Sequence, residues 1–270
     1  MFSFLHNYIP EPLLIDLGFL RVHWYGFLMI IGGLLGLYVV LKLAQKYKIK
    51  ENDILDLAIL WIIFSLLGAR IYYVLYSWSY YQDNLLEIFK IWNGGLAIHG
   101  IIIGGFTAVF VFCYKKKISF WKIADVVVPG LAIAQVIGRV GNYFNQEIFG
   151  KPTDLPWGIP ILEVFRPERY QFFEYFHPTF MYESLGNLII FVDLMILHWL
   201  VFKKKLKLPT GFIFLLYLIE YSILRFLLEF LRVDFSPTVL GIRWAMIFSA
   251  LIIIGSLIMI ILRFKNKRKK

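Results

Sequence analysis

The sequence predicts an all-α integral membrane protein of about seven transmembrane helices with a small extracytoplasmic cap. Of its 270 residues 60% are hydrophobic and only 17% are charged, which is more apolar surface than one globular core of this size buries. Seven apolar runs approach the roughly 20 residues that cross a bilayer. They lie at 18–41, 54–76, 96–114, 121–144, 179–202, 210–231 and 239–263.

Basic residues between these runs predict the orientation of the chain. Clusters of lysine and arginine lie at 42–50, 115–122, 203–207 and 263–270. These clusters follow every second apolar run, and the positive-inside rule places such connections in the cytoplasm. We therefore expect a multi-pass protein with its amino terminus outside and its carboxy terminus in the cytoplasm. The net charge of +10 is then explained by topology and contact with lipid, and no nucleic-acid partner is expected.

The remaining segments are short, so residues 1–270 are expected to form a single membrane domain. Residues 1–17 are apolar but broken by Pro10 and Pro12, which indicates a segment lying in the outer interface. The proline-rich stretch 147–178 predicts an outer cap loop rather than a domain. Residues 264–270 form a basic cytoplasmic tail. A single cysteine excludes an internal disulfide framework.

One polar stripe lies at the end of the fourth apolar run. The side chains of Gln135, Arg139, Asn142 and Gln146 are spaced at i, i+4, i+7 and i+11, which places them on one face of a helix. An arginine at the centre of a membrane helix costs roughly 2.5–3.5 kcal/mol on insertion scales. The stripe therefore predicts a functional site rather than a lipid-facing surface.

A second stripe begins in the run 210–231 and ends one residue beyond it, with Tyr221, Arg225, Glu229 and Arg232 at i, i+4, i+8 and i+11. Arg225 and Glu229 could pair with each other, as charges four residues apart on a helix often do. Glu147 and Glu229, however, can neutralise only two of the three arginines of the two stripes, so one positive charge remains without a partner. These arginines are Arg139, Arg225 and Arg232. A guanidinium offers parallel donors to phosphate oxygens, and a phosphate at membrane depth indicates a phospholipid.

His99 lies in the glycine-rich block 93–105, near the start of the third apolar run. It could be a core histidine that is hydrogen-bonded to a neighbouring helix. We expect it at the same outer depth as the two stripes and as Tyr25, at the start of the first helix. A titratable group beside a cationic phosphate site is a candidate general base.

The motifs of several enzyme classes are missing from the sequence. It has no HExxH, GxSxG, GxxxxGK[ST] or DDxxD pattern, so zinc proteases, serine hydrolases, nucleotide hydrolases and prenyl transferases lack support. A phospholipid flippase or transporter and a lipid-binding scaffold remain alternatives to an enzyme.

The thirteen residues from Gly138 to Gly150 read GRVGNYFNQEIFG. They resemble the signature of the bacterial prolipoprotein diacylglyceryl transferases. Along the rest of the chain, the order and spacing of that family are also found in the blocks RVHWYG, GARIYYVLY, LAIHG, HPTFMYE and RFLLEFLR. The resemblance implies transfer of an sn-1,2-diacylglyceryl group from phosphatidylglycerol to the lipobox cysteine of a prolipoprotein signal peptide. Glycerol phosphate is released at the outer face of the bacterial inner membrane, the first step of lipoprotein maturation. No metal and no soluble cofactor are implied.

The chemistry of this implied reaction suggests roles for the residues. His99 would take the thiol proton, helped by Tyr25, while Arg139 and Arg225 hold the phosphodiester and stabilise the departing glycerol phosphate. Asn142 and Glu147 would orient Arg139 and the head group. The set expected to bind phosphatidylglycerol is Arg139, Asn142, Glu147, Gly150, Arg225, Glu229 and Arg232.

Overall fold

The computed structural model describes residues 2–18, 21–234 and 236–268. Its helices are α1 (Phe2–Asn7), α2 (Trp24–Lys46), α3 (Glu51–Tyr76), α4 (Trp78–Tyr81), α5 (Ile98–Lys116), α6 (Phe120–Phe144), α7 (Thr179–Phe202), α8 (Phe212–Leu228) and α9 (Trp244–Arg268). Its strands form three two-stranded antiparallel hairpins. They are β1 (Leu13–Asp16) with β2 (Arg21–His23), β3 (Ile159–Pro160) with β4 (Tyr175–Phe176), and β5 (Thr238–Val239) with β6 (Ile242–Arg243).

A helix occupies each of the seven predicted apolar runs, which confirms the all-α membrane class. Within the described ranges, six helices are long and apolar enough to cross a membrane: α2, α3, α5, α6, α7 and α9. The seventh, α8, has 17 residues, close to the lower limit for a span. The count of about seven spans therefore stays a prediction.

Helices α2 and α9 begin later than the first and last apolar runs predicted. Strand β2 ends where α2 starts, and the backbone N–H of Trp24 donates to the carbonyl of Pro12 at 3.0 Å. At the other end, Leu240 and Gly241 both have positive φ and close the β5–β6 hairpin immediately before α9. A two-residue turn with left-handed backbone joins two short strands tightly, so residues 239–243 of the predicted run form a hairpin instead of a helix.

The chain divides into two compact units, Met1–Val39 with Val127–Lys270, and Val40–Val126. In the second unit, α3 and α5 pack through glycines. A Cβ at Gly100 would lie 2.1 Å from the carbonyl oxygen of Gly68, and a Cβ at Gly104 would lie 2.1 Å from that of Phe64. Only glycine permits so close an approach of two helix backbones.

Arg70 of α3 supports the loop that joins α3 to α5. This buried guanidinium donates hydrogen bonds to the carbonyls of Ile88 at 2.8 Å, Gly94 at 2.8 Å and Gly95 at 3.0 Å. The loop contains α4 and two 3-10 helices, Leu85–Phe89 and Ile91–Asn93. Because backbone carbonyls removed from water need hydrogen-bond donors, Arg70 serves as a common donor for this loop.

In the first unit, α6, α7 and α8 share an apolar core. Its buried members are Val128, Ala132, Ile190, Leu194, Ile213 and Tyr217. The amino-terminal part of α2 packs closely on α6, since a Cβ at Gly36 would lie 2.5 Å from the carbonyl oxygen of Gly130. These packed helices carry several of the charged residues that are described below.

The predicted cap segment 147–178 packs on the adjoining ends of α6 and α7 in a small hydrophobic core. The buried side chains of this core are Tyr143, Phe149, Ile159, Ile161, Phe176 and Phe180. Helix α1 joins this core, because the Nδ1 atom of His6 lies 2.8 Å from the carbonyl oxygen of Gly158 and its ring stacks on Tyr175. The amino-terminal residues that looked interfacial therefore pack in part on the cap.

Candidate active site

The polar stripe of α6 is shorter than its sequence spacing predicts. Arg139 and Asn142 lie on the helix, but α6 ends at Phe144 and Gln146 has a left-handed φ of 50°. The side chain of Gln146 instead accepts a hydrogen bond from the backbone N–H of Leu162 at 2.8 Å. The expectation that Gln146 continues the stripe is wrong, because the chain turns into the cap and this amide is used there.

Asn142 links Arg139 to Glu147. Its Oδ1 atom lies 3.5 Å from Nη1 of Arg139, and its Nδ2 donates to Oε1 of Glu147 at 2.8 Å. Asn145 donates to the same oxygen at 3.1 Å. The structure therefore brings together Arg139, Asn142 and Glu147, in the arrangement that an orienting role for Asn142 and Glu147 requires.

Glu183, on the second turn of α7, is the ion-pair partner of Arg139. Its Oε1 atom lies 2.7 Å from Nη2 of Arg139 and accepts a hydrogen bond from the hydroxyl of Tyr221 at 3.2 Å. The Glu183 side chain is 1% exposed. The HPTFMYE block contains this residue, but no helical spacing within α6 or α8 shows that α7 packs beside them, so sequence reasoning assigned it no role.

The second polar stripe also extends beyond the end of its helix. Helix α8 ends at Leu228, and Glu229 follows as a buried residue whose Oε2 lies 2.8 Å from Nη2 of Arg225. Arg232 lies beyond the helix and forms a β-bridge with Gly150. Its expected place on the α8 face is therefore wrong, since the chain leaves helical geometry before reaching it.

Arg243 and Asp234 complete the cluster and were not predicted as site residues. Nε of Arg243 lies 2.7 Å from Oε1 of Glu229, and its Nη1 donates to the carbonyl of Arg232 at 2.8 Å. Asp234 accepts two hydrogen bonds from Arg232, at 2.7 Å and 3.0 Å. A short hairpin between α8 and α9 is what brings Arg243 back to this cluster.

These additional residues remove the predicted excess of positive charge. The arginine–carboxylate cluster, as the described residues form it, contains Arg139, Arg225, Arg232 and Arg243, and Glu147, Glu183, Glu229 and Asp234. Its formal charges balance. The argument from a surplus cation is therefore wrong, and what remains is an open donor. Nη1 of Arg225 is buried and has no hydrogen-bond partner among the described residues.

Arg232 and Asp234 of the cluster stay charged. Burial raises the pKa of Asp234, but the hydrogen bond from Arg232 and the charges of Arg232 and Arg243 hold that pKa below its usual value. Burial lowers the pKa of Arg232, and the hydrogen bond to Asp234 with the nearby carboxylates raises it above the usual value. The Arg232–Asp234 pair is thus ionised throughout the physiological range.

Gly150 lies where three chain segments cross. Its N–H donates to the carbonyl of His177 at 2.8 Å, and the N–H of Lys151 donates to the carbonyl of Leu231 at 2.7 Å. A Cβ at Gly150 would lie 2.7 Å from Cγ2 of Thr179 and 3.0 Å from the Leu231 carbonyl oxygen. The close passage expected at this glycine is present, and it ties the cap to the segment that carries Arg232.

Tyr25, near the start of α2, lies against the backbone of α6. A Cβ at Gly141 would lie 2.8 Å from Cδ2 of Tyr25, so the ring fits over a glycine. Its hydroxyl is close enough to interact electrostatically with Glu147 and Arg139. Tyr25 therefore joins the cluster from a fourth helix, α2, after α6, α7 and α8.

His99 belongs to the other compact unit. It is the second residue of α5, its side chain is exposed, and its ring centroid lies 5.5 Å from that of Tyr72. Its expected position beside the arginine–carboxylate cluster stays a prediction.

A hydrogen-bonded chain of three rings lies beside Gly150. Nε1 of Trp157 donates to the hydroxyl oxygen of Tyr182 at 2.8 Å, and that oxygen lies 3.1 Å from Nδ1 of His177. The Tyr182 hydroxyl oxygen accepts from the indole N–H, which only donates, and the direction of its hydrogen bond with His177 depends on which ring nitrogen of that histidine carries the proton. Burial lowers the pKa of His177, in agreement with a neutral ring.

The chain resembles proteins of one kind along most of its length. Residues 12–262 match the family model described as "Prolipoprotein diacylglyceryl transferase". The chain is 46% identical over 225 residues to a protein of Acaryochloris marina named phosphatidylglycerol–prolipoprotein diacylglyceryl transferase, covering 83% of this chain and 81% of that protein. Proteins of the same name from Synechococcus elongatus and Prochlorococcus marinus (strain NATL1A) are 45% and 44% identical. These matches cover 83% and 88% of this chain and 78% and 82% of those proteins.

Proposed function

The chain belongs to the prolipoprotein diacylglyceryl transferase family, and we propose that its arginine–carboxylate cluster binds the phosphodiester of phosphatidylglycerol. It is an integral inner-membrane enzyme that transfers a diacylglyceryl group from phosphatidylglycerol to prolipoproteins, the first step of lipoprotein maturation. The observation that carries the site assignment is the buried Nη1 of Arg225, which has no hydrogen-bond partner among the described residues although Nη2 of the same guanidinium is paired with Glu229.

Arg139 and Arg225 are the proposed phosphate ligands. Each is held on one side by a buried glutamate, at 2.7 Å for Arg139 and 2.8 Å for Arg225. Their side chains are 23% and 21% exposed, so neither side chain is fully enclosed by the protein. Glu229 and Arg232 would complete the site by holding Arg225 and the Gly150 crossing in place. Donors fixed before the substrate arrives stabilise developing charge without reorganisation.

The proposed reaction joins sulfur to carbon. The cysteine thiolate attacks the glyceryl carbon that bears the phosphate, a C–S bond forms, and the C–O bond to phosphate breaks. The electron pair of that bond leaves with glycerol phosphate, whose growing charge lies against Arg139 and Arg225. The thiol proton goes to His99, with Tyr25 as the proposed helper. A thiol of pKa about 8.5 needs such a base or a strongly cationic site at neutral pH.

The proposed acceptor is the lipobox cysteine in a prolipoprotein signal peptide, reached from the outer face of the membrane. The element order supports this orientation, because the basic clusters lie at or just after the carboxyl ends of α2, α5, α7 and α9. Helices α6 and α8 end at the opposite side from these clusters if each helix crosses once. The candidate site would then lie outside, with the amino terminus.

A lipidation assay tests the proposed function. Purified protein is reconstituted with phosphatidylglycerol and given a lipobox peptide, and the mass of the peptide and the released glycerol phosphate are measured. We expect a diacylglyceryl adduct on the cysteine peptide and none on its serine analogue, with one glycerol phosphate per adduct. Movement of phosphatidylglycerol between leaflets without thioether formation would instead support a flippase, and binding without either would support a scaffold.

A further inference from the structure

Glu183 is the most enclosed charged group of the candidate site. It lies on α7 and is 1% exposed, whereas the residues it contacts belong to α6, to α8 and to the segment after α8. A glutamate is almost never fully buried unless it is paired, and an unpaired buried carboxylate is costly. Its place between three segments therefore has to be explained by those contacts.

The two oxygens of this carboxylate have different surroundings. Oε1 lies 2.7 Å from Nη2 of Arg139 and accepts the hydroxyl of Tyr221 at 3.2 Å. Oε2 lies 3.9 Å from Nη1 of Arg232 and has no hydrogen-bond partner among the described residues. One oxygen is thus firmly engaged, and the other contributes its charge at longer range.

We propose that Glu183 is a positioning residue of the transferase, holding the Arg139 guanidinium and the Tyr221 hydroxyl in the orientation that receives the phosphate. This rests on the proposed function of the same site. The Arg139 guanidinium contacts Glu183 at Nη2 and Asn142 at Nη1, and two contacts in its plane set the directions of its remaining N–H groups. Glu183 acts through Arg139 and touches no reacting atom.

Positioning predicts a specific division between binding and turnover. Replacing Glu183 with glutamine removes one negative charge from the cluster, so attraction of the anionic head group is retained or increased. The fixed orientation of Arg139 is lost, and small displacements of catalytic groups reduce rates strongly. We expect the KM for phosphatidylglycerol to stay equal or fall in Glu183→Gln, while kcat falls at least about tenfold.

The experiment compares three variants with wild type in the lipidation assay, at varied phosphatidylglycerol and saturating peptide. Glu183→Gln removes the charge and keeps the shape. Glu183→Asp keeps the charge but withdraws it by one methylene, and we expect a lower kcat with a KM near wild type. Glu220→Gln is the matched control, because Glu220 is a partly buried glutamate of α8 whose carboxyl pairs with Asp193 away from this cluster. Its kcat and KM should match wild type.

The outcomes separate this inference from the proposed function. If wild type forms no thioether, the function itself fails and the variants are irrelevant. If wild type is active, normal turnover in Glu183→Asp would show that charge alone matters, and a raised KM with unchanged kcat would make Glu183 a binding residue. Loss of folding in both Glu183 variants, measured by thermal melting, would make it purely structural. Each of these three results overturns the positioning role.

Discussion

Arg139 is held at one edge by Glu183 and at another by Asn142, which leaves the planar group oriented rather than merely charged. A lysine keeps the charge but loses the forked donors. We expect Arg139→Lys to lower kcat/KM roughly 10- to 100-fold, the value of one charged hydrogen bond, and Arg139→Ala to be little worse. Arg21→Lys is the control, since Arg21 is an exposed arginine that pairs with Asp16. Normal activity in Arg139→Lys would refute the geometric argument.

His99 is tested by pH. If it takes the thiol proton, His99→Gln should lose roughly 100-fold in single-turnover lipidation at neutral pH. Part of that loss should be recovered as pH rises through the thiol pKa near about 8.5, where the thiolate forms without a base. His23→Gln, which alters an exposed histidine of β2, should follow wild type at every pH. A constant ratio of His99→Gln to wild type across neutral and alkaline pH would remove the base role and leave the transferase assignment standing.

Gly150 has no room for a methyl group at the crossing with Thr179, His177 and Leu231. We expect Gly150→Ala to lower the melting temperature and to reduce activity, because the segment carrying Arg232 must move. A cost of about 1–3 kcal/mol is usual for such overpacking. Gly33→Ala is the matched control: nothing lies within 4 Å of its Cβ position, and alanine favours helix there. If both variants melt and react alike, the crossing does not position the site.

At the scale of elements, the cap should loosen in acid. Burial lowers the pKa of His177, so the folded cap binds its proton less readily than the unfolded chain does. The resulting stability is complete above the ordinary histidine pKa of about 6.5 and is lost as pH falls from there towards the lower folded value. Hydrogen exchange of the Gly150 amide, corrected for intrinsic rates, should therefore accelerate below about pH 6.5.

The same measurement on two variants identifies the group that titrates. In His177→Gln the Gly150 amide should exchange faster overall, but its corrected rate should not change with pH over this range. In His23→Gln it should behave as in wild type. An acid-induced acceleration that survives in His177→Gln would assign the effect to another group.

Also at the element scale, helices were easier to predict than their ends. A long apolar run between basic clusters specifies a membrane helix, and each predicted run contains one. Where α6 and α8 stop depends on contacts of remote segments. Gln146 turns away because the cap uses its amide, and Arg232 leaves the helix to bridge Gly150. Extending the helical spacing beyond the end of each helix therefore misplaced both residues.

For the whole molecule, the signature identified the family, and it grouped Arg139, Asn142 and Glu147, which contact one another in the structure because they lie within a few residues of each other. The partners of the arginines could not be predicted in this way. Glu183 comes from α7 and Arg243 from the hairpin before α9, and both reach the cluster only through tertiary packing. The sequence predicted an anion site from a surplus of positive charge, but carboxylates from other segments balance that charge in the folded protein. The argument for an anion site now depends on Nη1 of Arg225, which has no hydrogen-bond partner among the described residues.

The most direct test of the central claim is an experimental structure of the protein with phosphatidylglycerol bound in a lipid bilayer. The measured quantity is the distance from the phosphate oxygens to the guanidinium nitrogens of Arg139 and Arg225. We predict both within hydrogen-bond reach, about 2.7–3.2 Å, with Nη1 of Arg225 as one donor and the Arg139–Glu183 pair intact. A phosphate bound away from both arginines, in protein that forms the thioether, would contradict the account.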